Sequence, residues 1–324
     1  MHRTWKIGIL SDIHYAGPLE QARGDSYELM GLSPVRRALL KGYRRHFWLH
    51  RPLHQGYLLD RFLERANGFD YVVANGDYSC DSVFTGLSDE GAFESAQIAL
   101  GKLRCKYNDN LHANFGDHEL GKMSFAGRRG GMRLASWRRA VNELDLRPFW
   151  TRSLGAYTLM GIVSSLVALP VFEPDALPEE LAGWEKLREA HLHEIREAFC
   201  GLARGRKVIL FCHDPTALPF LWNEPEVQSR VDQIEQTIIG HLHSPLILWK
   251  GRVLAGMPVV RFLGHSIQRY TTALREARHW RPFKLRLCPS LAGIELLKDG
   301  GYCAMELDGS GVAPARFVRH RLGR

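Results

Sequence analysis

Short apolar runs alternate along this chain with stretches of helical period. Residues 5–10, 69–74, 111–115, 207–212 and 237–239 each predict a buried strand. Residues 34–66, 91–102, 137–144 and roughly 180–203 repeat apolar positions at helical spacing, with a break near Pro52. The tail alternates strands with a basic helix near 266–279 and closes in a hairpin around Asp308-Gly309-Ser310-Gly311. Strands alternating with helices predict the α/β class. The longest uncharged stretch, residues 153–172, is long enough to span a bilayer. Its Gly155, Gly161, Ser164, Ser165 and Pro170 argue instead for two strands about a turn at Gly161.

Composition narrows this only a little. The 324 residues are 45% hydrophobic and 24% charged. That is ordinary globular usage, and a chain this long buries a large core without cross-links. Overall disorder and a small disulfide scaffold are excluded. The net charge of +8 favours an anionic partner: nucleic acid, a phosphate ester or an acidic membrane surface. Six irregularly spaced cysteines without a CxxC pair predict reduced thiols. The first apolar run is too short for a secretion signal, so a cytoplasmic location is expected.

The candidate chemistry sits at strand ends. Five predicted strands stop at Asp and His: Asp12 with His14, Asp77, Asp117 with His118, His213, and His241 with His243. Taken singly, such residues are usually caps, turns or hydrogen-bonded histidines, and Asn75-Gly76-Asp77 alone is a turn signal. Turn chemistry does not call for His at four of five strand ends. In α/β sheets ligands bind beyond the carboxyl ends of strands, so these side chains point to one crevice. Read as extended segments, Asp12/His14 and His241/His243 each leave one face together. Imidazole with carboxylate suits Zn, Fe, Mn, Co or Ni better than Ca.

The order of these blocks resembles the calcineurin-like metallophosphoesterase superfamily, whose pattern is D-x-H, G-D, G-N-H-[DE], H and G-H-x-H. This chain has Asp12-Ile13-His14, Gly76-Asp77, Gly116-Asp117-His118-Glu119, His213 and Gly240-His241-Leu242-His243. The resemblance implies one domain over residues 1–324, a four-layer α/β/β/α sandwich of two mixed sheets with helices outside. Residues 16–66 would be an inserted basic helical cap. Residues 244–324 would be C-terminal strands and a basic helix, closing over the same crevice. Two divalent ions are implied, manganese first, with Zn, Fe, Co or Ni as alternatives. Asp12, His14 and His243 would hold one ion and Asp117, His213 and His241 the other, with Asp77 bridging. A hydroxide held between the ions would attack phosphorus in line. His118, oriented by Glu119, would stabilise or protonate the leaving oxygen.

Three positions depart from the pattern. Asp117 replaces an Asn, which adds a negative charge; tighter metal binding and weaker attraction for phosphate are expected. Cys80 stands three residues after Asp77, where many members carry an acid, and Asp214 stands where many carry a second His.

Residues 29–59 contain no Asp or Glu but hold Arg36, Arg37, Lys41, Arg44, Arg45 and Arg51. On a helical wheel Val35, Leu39, Tyr43 and Phe47 share one side, with Arg37, Lys41, Arg44 and Arg45 mostly opposite. Such a helix suits an anionic membrane surface, here over residues 34–63, or else packs its apolar side on the core. A second basic and aromatic segment runs from Arg269 and Tyr270 through Arg275, Arg278, Trp280, Arg281, Phe283 and Lys284 to Arg286. Three functions follow. The first is a hydrolase of phosphate ester or pyrophosphate bonds in a lipid-linked substrate, peripheral on the cytosolic membrane face; in layout the chain is similar to the UDP-diacylglucosamine pyrophosphatases of lipid A synthesis. The second is a soluble phosphodiesterase or nuclease. The third is a non-catalytic scaffold on the same fold.

Overall fold

The computed structural model describes residues 3–124, 129–259 and 265–323. Side chains of residues 265–270, Arg269 and Tyr270 among them, lie outside the described residues. Among the described residues ten strands are formed: β1 (Thr4–Leu10), β2 (Tyr71–Ala74), β3 (Leu111–Ala113), β4 (Trp150–Leu154), β5 (Tyr157–Ile162), β6 (Lys207–Cys212), β7 (Ile234–Ile239), β8 (Leu285–Leu287), β9 (Gly301–Asp308) and β10 (Arg316–Arg321). They build two five-stranded sheets, β10-β9-β1-β2-β3 and β4-β5-β6-β7-β8. β1, β2 and β3 run parallel, as do β5 to β8, while β9, β10 and β4 pair antiparallel.

Side-chain alternation along the strands explains the layers. Ile7, Ile9, Tyr71 and Val73 of the first sheet meet Leu159, Ile209, Phe211 and Ile238 of the second in a core between the sheets. The alternate residues Leu10, Val72, Ala74, Val208, Leu210 and Cys212 face outward into helix-covered cores. Phe62, Leu100, Leu103, Ile195 and Phe199 come from the helices Tyr57–Arg65, Glu90–Tyr107 and Leu181–Cys200. Each fully buried side chain of this size contributes about 1.5–3 kcal/mol. The expected α/β sandwich of two mixed sheets is therefore present.

The uncharged stretch differs from expectation. β4 and β5 form a hairpin that turns at Gly155, whose φ is +57°. Gly161 lies inside β5, opposite Trp150, where a Cβ would stand 2.1 Å from the indole nitrogen. That glycine serves a close approach rather than a turn. The stretch ends in two short helices, Ser164–Val167 and Leu169–Phe172. Among the described residues no helix is long and apolar enough to cross a membrane. The strands expected over residues 244–324 join the two sheets: β8 extends the second, and β9 and β10 extend the first. All six cysteines are free thiols.

Candidate metal centre

The D-x-H, G-D and G-D-H-E blocks follow β1, β2 and β3 of one sheet; His213 follows β6, and His241 and His243 follow β7 of the other. The centre lies on the seam between the sheets. A Cβ on Gly240 would stand 2.0 Å from Ser11 Oγ and 2.6 Å from Asp12 Oδ2, so only glycine lets the two sheets' loops approach this closely.

The ligand pairs are not extended segments as the two-residue spacing suggested. Asp12, His14, Asp77, His241 and His243 all adopt left-handed backbone, with φ between +46° and +59°. Asp and His enter this region more readily than most residues, at a cost of about 1–3 kcal/mol each. Bonds across the loops hold them there. Asp12 N donates to Gly76 O (3.1 Å), His14 N to Asp77 O (2.9 Å), and His241 N to Asp12 Oδ2 (3.1 Å).

All seven expected ligands converge. Asp77, Asp117, His213 and His241 form one cluster, and Asp12, His14 and His243 a second. Asp77 also groups with His14 and His118, so it lies between the two. His14 Nε2 stands 3.1 Å from His243 Nε2, which is 3.2 Å from Asp12 Oδ1. His213 Nε2 lies 3.3 Å from Asp77 Oδ2 and 3.4 Å from Asp117 Oδ1.

This donor set fits divalent cations. The carbonyl of Ser79 accepts from His14 Nδ1 (3.3 Å) and His118 Nδ1 (3.0 Å), and that of Asn75 accepts from His213 Nδ1 (2.5 Å). A carbonyl only accepts, so each ring keeps a proton on Nδ1 and aims Nε2 at the centre, where its lone pair would be free for a cation once any proton there is lost. Burial keeps His14 neutral, with its pKa lowered to about 3. Asp12 Oδ1 and His213 Nε2 are buried without a well-formed hydrogen bond. Burial opposes charge on His241, yet Asp214 and Asp117 lift its pKa to about 8, and Asp77 and Asp117 raise His213 well above its ordinary value. In the metal-free chain these protons balance carboxylates that cations would balance.

A model of the calcineurin-like phosphoesterase family matches residues 6–245, a span that holds all seven candidate ligands. The chain belongs to that family. Searched against curated proteins, it finds no match. Solved structures similar to it include a dimetal phosphatase from Danio rerio, at 13% identity and TM-score 0.41, covering 97% of this chain and 98% of that one. The phosphopantetheinyl hydrolase of Mycobacterium tuberculosis is 13% identical with TM-score 0.39, covering 76% and 85%. A purple acid phosphatase from yellow lupin (Lupinus luteus) is 10% identical with TM-score 0.37; 75% of this chain is covered, and it spans 38% of the lupin enzyme's length.

Within this calcineurin-like phosphoesterase, Glu119 does not touch the His118 ring as expected. Its carboxylate accepts from the backbone N–H groups of Asp77 (2.9 Å), Tyr78 (2.8 Å) and Gly116 (2.7 Å). Burial and the Asp77 charge raise its pKa to about 7 despite those bonds. The Ser79 carbonyl orients the His118 ring instead, with Nε2 3.7 Å from Asp77 Oδ2. Burial lowers the His118 pKa to about 4.

Two neighbours escaped the sequence reading. Lys122 Nζ lies 2.8 Å from Asp117 Oδ2. Trp48, just after the helix Pro34–His46, stacks on His243 with centroids 4.7 Å apart. The only signals for them in the sequence are a lysine after Gly121 and an aromatic residue directly after Phe47. The second basic segment goes elsewhere. Arg278, Trp280, Arg281, Lys284 and Arg286 line, with Arg252, a cleft of about 520 Å³ whose walls include no metal-ligand candidate.

Proposed function

We propose that this phosphoesterase hydrolyses a phosphate ester or pyrophosphate bond in a lipid-linked nucleotide such as UDP-diacylglucosamine, working at an anionic membrane surface with manganese as its metal. The observation that carries this reading is the outward face of the helix Pro34–His46. Val35 and Leu39 are each 70% exposed and Tyr43 is 46% exposed, so its apolar stripe does not pack on the core. Arg36, Arg37, Lys41 and Arg45 are exposed around it. Near an anionic surface each such cation contributes about 1 kcal/mol. Arg44 alone turns inward, to the Asp25 carbonyl (2.8 Å) and Glu28 (3.4 Å). The helix leads into stacked Tyr43, Phe47 and Trp48, and Trp48 reaches the metal centre. An amphiphile with its chains at Val35 and Leu39 would run its head group along this aromatic path to His243.

In this reading Asp12, His14 and His243 would hold one cation and Asp117, His213 and His241 the other, with Asp77 placed to serve both. When bound, two such ions supply the Lewis acidity that an in-line displacement at phosphorus requires. His118 faces the same space with its Nδ1 proton committed to Ser79 O, so it would serve the leaving oxygen as an imidazolium that carries a second proton on Nε2.

The test compares turnover on UDP-diacylglucosamine in detergent micelles with turnover on bis-p-nitrophenyl phosphate. Sedimentation with phosphatidylglycerol vesicles is run on wild type and Leu39→Asp. Faster cleavage of the lipid nucleotide, with vesicle binding lost in Leu39→Asp, is expected. Cleavage of the generic diester alone, with equal sedimentation of both proteins, would overturn the lipid reading and leave the hydrolase.

A further inference from the structure

Asp117 gives its two oxygens different work. Oδ1 faces the ligand cluster, 3.1 Å from His241 Nδ1 and 3.4 Å from His213 Nε2. Oδ2 meets Lys122 Nζ at 2.8 Å. The chain between them is folded to bring this about. Leu120 N and Gly121 N both donate to the Asp117 carbonyl, at 3.2 and 3.0 Å, closing a turn. Gly121, with φ of +90°, passes so close to its surroundings that a Cβ would stand 2.5 Å from Gly131 O. The turn returns Lys122 over the residue five positions earlier. The Asp117 side chain is 5% exposed and that of Lys122 26%, so solvent screens the pair only in part.

We propose that Lys122 is a built-in counter-charge that makes Asp117 behave toward a bound cation as a neutral, single-oxygen ligand. A carboxylate whose second oxygen is held by an ammonium offers one oxygen to the centre, as an amide does, and the pair together adds no net charge. The tighter metal binding and weaker phosphate attraction expected from Asp117 alone are thereby cancelled. The proposal rests on reading Asp117 as a metal ligand.

Its test uses metal-stripped full-length protein: wild type, Lys122→Met, Lys122→Arg, Asp117→Asn and the double variant Asp117→Asn/Lys122→Met. Three quantities are measured: manganese affinity by titration calorimetry, affinity of the manganese-loaded protein for inorganic phosphate, and the melting temperature without metal. Lys122→Met is expected to bind manganese about tenfold tighter and phosphate about tenfold weaker, because one unpaired carboxylate charge then faces the site. Asp117→Asn should shift both constants the opposite way, and the double variant should return both to within about twofold of wild type. Lys122→Arg should stay at the wild-type values. Without metal, Lys122→Met should melt lower than the double variant, because it alone takes the ammonium away from a buried carboxylate. Unchanged constants in Lys122→Met, or a double variant that keeps the Asp117→Asn values, would overturn the proposal while the metal centre stands. A wild-type protein that binds no manganese would overturn the ligand reading and the proposal with it.

Discussion

Adding one methyl group at Gly116 should dismantle the metal centre. A Cβ there would stand 2.1 Å from Asp77 Oδ1, 2.5 Å from Asp77 N and 2.9 Å from Asp77 Cγ. The first contact is more than about 1 Å inside van der Waals distance. The backbone has no room to yield, since a Cβ on Gly76 would already meet Gly116 N at 2.4 Å. The Asp77 carboxylate must therefore swing away, breaking the bond its Oδ1 accepts from His118 N at 3.0 Å. Overpacking of this kind costs about 1–3 kcal/mol, which lowers the melting temperature by a few degrees and leaves the chain folded. The functional loss should be larger, because a catalytic group misplaced by about 1 Å costs on the order of 10²-fold in rate. Elemental analysis, turnover on bis-p-nitrophenyl phosphate and thermal melts of Gly116→Ala measure the three effects. A folded variant with two ions per chain and wild-type turnover would refute the reasoning.

Glu119 and His118 should separate cleanly. Glu119→Ala leaves three buried N–H groups without their acceptor, each worth about 1–3 kcal/mol, so its melting temperature should fall well below that of His118→Ala. His118→Ala should keep its metal content and lose about 10²–10⁴-fold in turnover, read by elemental analysis beside steady-state kinetics. Trp48→Ala should raise KM for an amphiphilic substrate by about 2–10-fold, the worth of one aromatic stack, with little change for bis-p-nitrophenyl phosphate.

The strands that carry the site were legible because each is a short buried run stopped by Asp or His, and β6 spans the residues its apolar run predicted. Eight Asp and His side chains followed from the same pattern; the resemblance singled out seven of them as ligands, and those seven converge. The left-handed backbone beneath five of them was not legible. It depends on bonds such as His14 N to Asp77 O, formed between residues far apart in sequence. Gly161 was misread for a related reason: the indole it accommodates belongs to another strand. The roles of β8, β9 and β10 also depend on which strands they pair with, and local periodicity carries no information about that. The wheel correctly grouped Val35, Leu39 and Tyr43, but which face of a helix meets the core is decided by its neighbours. Lys122 needed the turn at Gly121 before its distance to Asp117 had any meaning.

The account stands most directly on Asp77 joining two cation sites. Manganese stoichiometry of the metal-stripped wild type and Asp77→Ala, measured by titration and elemental analysis with turnover alongside, tests this. Two ions per wild-type chain, with occupancy and turnover both lost in Asp77→Ala, is the predicted result. An Asp77→Ala protein that still holds two ions would contradict it.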